Sequence, residues 1–260
     1  MNTENRSNSK AASRAEKPVV LQGIDTLLFD LDGTLLPMDE DKFVRLYLGS
    51  LAQTFADRYD PALLQKTLWE AVGLMVGNDR DCTNETRLWD LMESRFPGIT
   101  ELKGEFDRYY RSGFDAASPA CPQREGTGEF LEQLKNAGYT LILATNPIFP
   151  AAAVQQRLKW AGVDPSLFAD ITTYENSTRC KPNPAYYQEI LDRNALDPGK
   201  CMMIGNDTNE DMTAESLGMK TFLVTEHLID RKQLGTERWP HGDFEALKKL
   251  FAPVLRKSED

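Results

Sequence analysis

The sequence predicts an α/β protein: a doubly wound parallel sheet with an all-helical segment inserted after the first strand. Three observations lead there. From Pro119 onward, short apolar runs alternate with amphipathic stretches of helical length, the pattern of right-handed βαβ crossovers in a parallel sheet. One further strand-like run, Ile24–Leu31, stands alone near the start, and between residues 38 and 117 no other follows. Finally, 41% hydrophobic and 27% charged residues are ordinary globular usage, so a packed core is expected.

The elements follow in order. Ile24–Leu31 (IDTLLFDL) is apolar, ends in carboxylates and reads as a buried strand, with a turn signal at Asp32-Gly33. Lys42–Tyr59, Ala62–Val76, Glu85–Phe96 and Glu101–Ala116 carry apolar residues at helical spacing, separated by Pro61, Gly77-Asn78 and Pro97-Gly98. A helix at Gly128–Ala137 stops at Gly138, a residue suited to the left-handed C′ position. Strand Thr140–Ala144, helix Ala151–Ala161, a short strand Ile171–Tyr174 and helix Pro184–Asn194 come next. Strand Cys201–Gly205, helix Asn209–Leu217, strand Lys220–Val224 and helix Asp243–Phe251 complete the series. The expected organisation is therefore a tail over 1–17, an α/β core from 18–37 and 118–260, and a helical insert over 38–117.

Composition excludes several classes. No apolar run is long enough to span a bilayer. Met1 to Lys17 holds Arg6, Lys10, Arg14 and Lys17 without an apolar h-region, so it reads as a disordered tail rather than a secretory signal. Cys82, Cys121, Cys180 and Cys201 form no C-x-x-C pair and the only histidines are His227 and His241. That supply points to a reducing, cytoplasmic setting and away from disulfides or zinc. A net charge of −10 with no basic stripe argues against nucleic acid as a partner. Gly126-x-Gly128 lacks the third glycine of a dinucleotide fingerprint, and no Walker-type G-K-[ST] occurs.

In open parallel sheets ligands bind beyond the carboxyl ends of the strands. Asp30-Leu31-Asp32-Gly33-Thr34, Thr145-Asn146 and Asn206-Asp207 with Asp211 fall at predicted strand ends, and the loop after Ile171–Tyr174 carries Cys180-Lys181-Pro182. Four of these stretches occur as ordered motifs: FDLDGTLL at Phe29–Leu36, ATN at Ala144–Asn146, KPNP at Lys181–Pro184 and GNDTNED at Gly205–Asp211. With them the chain resembles the haloacid dehalogenase superfamily in its phosphatase branch, with a Rossmann-like core; the resemblance runs through residues 24–225.

That resemblance implies hydrolysis of a small phosphorylated metabolite with Mg²⁺ as cofactor, through an aspartyl-phosphate intermediate. Asp30 is implied as nucleophile and Asp32 as general acid and base, two carboxylates that need different protonation states in the first step. Mg²⁺ and Lys181 are expected to keep the Asp30 pKa low. The metal set implied is Asp30, Asp32 through its backbone carbonyl, Asp207, and Asp211 directly or through water. Thr34, Thr145, Asn146 and Lys181 are implied to hold the phosphoryl group. The helical insert resembles the family's C1 cap, with a hinge and flap at residues 36–42.

Within the insert, Asn78–Asn84 is the most polar inter-helix stretch, and Arg80 is the candidate for a second anionic group on the substrate; the plainer alternative is that Thr83 and Asn84 only cap the next helix. Asp39-Glu40-Asp41 reads most simply as the first turn of a helix. Cys180, beside Lys181, is either a redox switch or, more simply, an inert packing thiol. A phosphomutase using the same two aspartates and a catalytically inactive binding module on this fold are the rival functions. A dehalogenase has no need of an acid at Asp32, and a phosphonate hydrolase is disfavoured with it. Oligomeric state is not legible in the residues.

Overall fold

In the computed structural model, which describes residues 19–255, six parallel strands form one sheet. They are β1 (Thr26–Phe29), β2 (Thr140–Leu143), β3 (Asp170–Ile171), β4 (Cys201–Gly205), β5 (Lys220–Val224) and β6 (His241–Gly242), in the order β3-β2-β1-β4-β5-β6. The first strand lies in the middle, and chain order runs outward from it on both sides, so the crevice expected at a topological switch point opens where β1 meets its neighbours. The tail expected over 1–17 lies outside the described residues.

The central strands are buried on both faces, so period-2 alternation sorts their side chains between two apolar clusters rather than between core and water. Leu27, Phe29, Leu141, Leu143, Met202 and Ile204 face one layer. That layer also holds residues of α5 (Thr127–Asn136), α6 (Ala151–Trp160) and α8 (Phe244–Leu255). Leu28, Ile142, Met203 and Cys201 face the other, against Tyr186, Tyr187, Ile190 and Leu191 of α7 (Pro184–Asn194).

Between β1 and α5 come α1 (Glu40–Thr54), α2 (Pro61–Val76), α3 (Asn84–Arg95) and α4 (Lys103–Arg111), and no strand. Their starts have local causes. The Asp39 carboxylate accepts from Lys42 N at 3.0 Å and that of Asp60 from Leu63 N at 2.8 Å, with Pro61 at the first helical position, where its missing N–H costs nothing. Asp39-Glu40-Asp41 is thus a helix start, as expected. Apolar residues of these helices, Leu51, Phe55, Leu64 and Phe106 among them, join the same cluster as one face of the sheet.

Several elements differ from the sequence expectation, and the edge strand β6 has no counterpart in it. The fourth insert helix ends at Arg111 and continues as a 3-10 helix, Gly113–Ala120; Gly113 sits where a Cβ would lie 2.6 Å from the Tyr109 ring. The helix expected at Asn209–Leu217 is a 3-10 helix from Met212, preceded by a turn in which Asp207 Oδ1 accepts from the N–H groups of Asn209 and Glu210 at 2.7 and 2.9 Å. β3 stops at Ile171, and Thr172 and Tyr174 turn their N–H groups to Leu143 O and Phe149 O instead. α8 runs through Pro253 to Leu255, since its buried positions Phe244, Leu247, Phe251 and Val254 keep helical spacing past the proline. Among the described residues no helix is long and apolar enough to cross a membrane.

Candidate active site

The carboxyl ends of β1 and β4 and the loop before α7 meet around one buried ammonium. Lys181, 1% exposed, donates from Nζ to Asp30 Oδ1 at 2.8 Å and to Asp211 Oδ1 at 2.6 Å. Asp30 directly follows β1, and its N–H extends the ladder to Ile204 O at 2.9 Å. Asp211 reaches the site from the far side of β4, where a Cβ on Gly205 would lie 2.2 Å from its carboxylate; only glycine lets the acid approach so closely. The other Asp211 oxygen accepts from Asp207 N at 2.9 Å, locking the Asp207 loop in place.

Asp32 follows Asp30 by two residues on a tight loop closed by Gly33 N→Leu36 O (2.7 Å) and Leu36 N→Leu31 O (2.8 Å). Gly33 has φ +83° and faces Asn206 Nδ2 at 2.3 Å from where a Cβ would stand, so both conformation and space demand glycine. The Asp32 carboxylate is paired with Arg157 of α6 through Oδ2 and Nη1. Arg157 is fully buried, stacks its guanidinium 4.5 Å from the Phe149 ring centroid and leaves Nη2 without a partner, as Asp32 leaves Oδ1. Sequence reading did not single this arginine out.

Asp30, Asp32, Thr145, Asn146, Asn206, Asp207, Glu210 and Asp211 all open onto one cavity of about 340 Å³. Thr145 is anchored by its carbonyl, which accepts from Thr172 Oγ1 (2.7 Å) and Tyr186 OH (2.9 Å). Asn146 donates from Nδ2 to Glu210 Oε2 at 3.0 Å and leaves Oδ1 buried and unpartnered. Glu210, another residue that sequence reading passed over, lies one position before Asp211.

The acids here are crowded. Burial pushes Asp30 up to about 8, against the opposing pull of Lys181 and with Asp211 and Asp32 adding to the rise. Burial likewise raises Asp32, opposed chiefly by Arg157, and Asp207, opposed by the N–H groups of Glu210 and Asn209. It takes Glu210 up to about 7. Burial works against the Lys181 charge, but Asp211 and Asp30 together outweigh it and hold its pKa well above the usual value. The expectation that Lys181 helps keep the Asp30 pKa low is met in direction only: burial wins.

Such an excess of desolvated carboxylate fits a hard cation. Among the described residues no three Asp, Glu, His or Cys side chains are gathered closely enough to chelate one unaided. Two carboxylates, a backbone carbonyl and oxygens of water or substrate are the set that Mg²⁺ typically accepts. Asp30, Asp207 and the Asp32 carbonyl would supply the protein's share. Asp211, expected as a further ligand, instead has one oxygen on Lys181 and the other on Asp207 N.

Two residues expected to touch substrate lie apart from the cavity lining. Thr34 is fully buried and gives its hydroxyl to Asn206 Oδ1 at 3.0 Å, while its carbonyl accepts from Arg124 at 2.7 Å; it braces the Asn206 loop. Arg80 is exposed and does not line the cavity. Its neighbours explain why. Asn78 donates to Cys82 O, Asn84 Oδ1 and Thr178 O, and Asn84 donates to Pro147 O at 3.1 Å and Cys180 Sγ at 3.2 Å. The 78–84 stretch thus buries its amides against the loops after β2 and β3 and turns Arg80 outward. Thr83 caps α3, accepting from Thr86 N, as the plainer reading held, whereas Asn84 is a buried strut. Cys180 is buried with its thiol pKa raised by burial, an inert thiol rather than a switch.

Comparison with known proteins bears on the family and the fold. The model of the haloacid dehalogenase-like hydrolases matches residues 24–218. Among curated proteins, a phosphoglycolate phosphatase of Aliivibrio fischeri is 26% identical over 208 residues, covering 79% of this chain and 86% of that one. The pyrophosphatase PpaX of Bacillus velezensis is 27% identical over 200 residues, with 76% and 82% covered. Among solved structures, a 2-haloacid dehalogenase from Pseudomonas syringae superposes with a TM-score of 0.57 at 20% identity, covering 88% and 98%. A phosphatase from Thermococcus onnurineus gives 0.56 at 20% identity, covering 88% and 99%. At such identity these structures speak for the fold alone.

Proposed function

The chain belongs to the haloacid dehalogenase-like hydrolases, on their phosphatase side, and from that premise we propose that it hydrolyses a small phosphate monoester through a phosphoryl group carried on Asp30. The observation that carries the reading is the pair of environments given to two neighbouring carboxylates on one cavity: Asp30 held by the Lys181 ammonium, Asp32 held by Arg157. A reaction that needs only a nucleophile has no use for the second acid.

In the first step the Asp30 carboxylate attacks phosphorus, an acyl phosphate bond forms, and the bond to the leaving oxygen breaks. Asp32, whose pKa burial raises, gives its proton to that oxygen as alcohol departs. In the second step water attacks the phosphorus, Asp32 takes its proton, and Asp30 is freed as inorganic phosphate leaves. Lys181 offsets phosphoryl charge, and Thr145 with the Asn146 amide orients the oxygens. Mg²⁺, held by Asp30, Asp207 and the Asp32 carbonyl, would neutralise the phosphoryl oxygens and favour the ionised form of Asp30.

The test is release of inorganic phosphate from 4-nitrophenyl phosphate, with Mg²⁺ and then with chelator. Activity should need the cation, and Asp30→Asn should fold and lose at least about a thousandfold in kcat/KM, as expected when a nucleophile is removed. Equal rates in the two proteins refute the role of Asp30. Transfer of the phosphoryl group to another hydroxyl of the substrate, without free phosphate, marks a mutase instead.

A further inference from the structure

The substrate side of the cavity has a chemistry of its own. Away from the carboxylates its walls are apolar: Val44 and Leu48 of α1, Leu68, Trp69 and Val72 of α2, and Phe149 after β2. On α2 the cavity-lining positions Leu68, Trp69, Val72, Met75 and Val76 recur with the helical repeat, one face of the helix turned to the site. They are not all satisfied core. Trp69 is 60% exposed and Val76, two turns further on, 40%, so apolar surface lies open beside the reacting groups, as at sites that await an apolar ligand.

Charge points the same way. Among the described residues Arg231 is the only basic side chain lining the cavity, and it is engaged at the acidic end, 2.9 Å from Glu40 and 3.7 Å from Asp207. The Tyr47 and Tyr110 hydroxyls, which also line the space, are 2.8 Å apart and satisfy each other. A carboxylate or second phosphate on the departing group, lying against α1 and α2, would therefore meet hydrocarbon, while the basic side chain on the cavity is already paired with two acids at the other end. Burying such a charge unpaired is unfavourable.

We infer that the preferred substrates are phosphate monoesters of uncharged, apolar alcohols, with an alkyl or aryl group about the size of one ring lying against α1 and α2. The inference rests on the phosphatase reading and goes further by naming the leaving group. It also sets this cavity apart from one shaped for a small doubly anionic ester.

The test is kcat/KM for ethyl, butyl and hexyl phosphate and for the hexyl ester bearing a terminal carboxylate, each followed by phosphate release with Mg²⁺. Alkyl leaving groups of nearly equal basicity remove any advantage of an activated aryl ester. The value should rise with each methylene, by up to about fourfold if the group is fully buried, and at least tenfold from ethyl to hexyl. The terminal carboxylate should cost at least tenfold against hexyl phosphate, and Trp69→Ala should flatten the series. A flat series in the parent protein, or preference for the carboxylate-ended ester, overturns the inference and leaves the phosphatase reading standing. No phosphate from these four esters while 4-nitrophenyl phosphate is still hydrolysed overturns the inference alone; no phosphate from 4-nitrophenyl phosphate either overturns the phosphatase reading and this inference with it.

Discussion

Replacing Lys181 by methionine tests the centre of the site. The side chain is 1% exposed and makes two charge-assisted bonds, at 2.8 Å to Asp30 and 2.6 Å to Asp211. Methionine keeps the length and the apolar stem and removes the charge, so two buried carboxylates face each other without a counter-ion. Breaking a buried pair in this way typically costs about 3–5 kcal/mol. Protonation limits the loss: Asp30 already stands at about 8 with the lysine present, and without it the acid takes up a proton rather than stay charged. The lower end, about 3 kcal/mol, is therefore expected, or a fall in Tm of about 6–12 °C for a chain of this size. Activity should fall on the order of 10²–10³-fold, the usual loss for one preorganised charge contact. Adding Asp211→Asn to Lys181→Met removes one of the stranded acids while keeping an acceptor for Asp207 N. The double variant should regain at least about 1 kcal/mol of the stability by thermal melts, a coupling characteristic of residues in direct contact, with activity still lost. A single variant that melts within about 2 °C of the parent, or stability losses that simply add, would refute the account of Lys181 as the shared counter-ion.

Two further outcomes are expected. Burial raises Asp30 to about 8 and Glu210 to about 7, so over this window the folded chain holds protons that the unfolded chain has shed. With the folded pKa above the unfolded one, these groups favour the fold at low pH and lose that contribution as pH climbs from about 4 through 8. In chelator, Tm should decline between pH 5.5 and 8, Mg²⁺ should restore it most at pH 8, and Asp30→Asn should shallow the decline; a Tm that rises across that range in chelator sinks the argument. Arg157→Met should leave KM nearly unchanged and lower kcat by about ten- to a hundredfold, since Arg157 touches Asp32 and does not line the cavity. A variant that raised KM at constant kcat would make Arg157 a substrate ligand instead.

Why some of this was legible in the residues and some was not has a physical basis. β4, β5 and α7 coincide with the expected ranges because β4 is apolar throughout, β5 follows the turn at Gly218 and is buried from Thr221 to Val224, and α7 carries its own start and stop signals, Asn183-Pro184 at one end and a charged last turn at the other. Asp30 and Asp207 were legible because strand ends in a parallel sheet point to one edge, and Lys181 because KPNP stands in order among the other motifs. Arg157 left a weaker trace that was passed over: it lies four residues after Ala153 and three after Val154, on the buried stripe of α6, and a cation on an apolar stripe must find an acid. Arg80 misled for the opposite reason. A polar loop in an insert reads as a ligand contact, yet Asn78 and Asn84 use that polarity to bond the backbone of distant loops, and nothing local to the sequence names those partners.

The apolar wall was the least legible feature of all, although every residue in it was in plain view. Leu68, Val72 and Met75 fall at the same helical spacing as any core stripe, and spacing cannot tell a face turned to a neighbouring helix from a face turned to a void. Only the meeting of α1 and α2 over the β1 loop separates the two, and that meeting depends on residues far away. Leu64 and Leu51 are completely buried inside the insert, while Trp69 on the same helix as Leu64 is left open to solvent. A helix that packs one edge so fully and leaves a tryptophan on the adjacent edge is carrying exposed hydrocarbon that folding alone would remove. Were the opening only a packing fault, Trp69→Asp would raise solubility and leave turnover of hexyl and ethyl phosphate in their original ratio, which is where catalytic specificity and surface composition part.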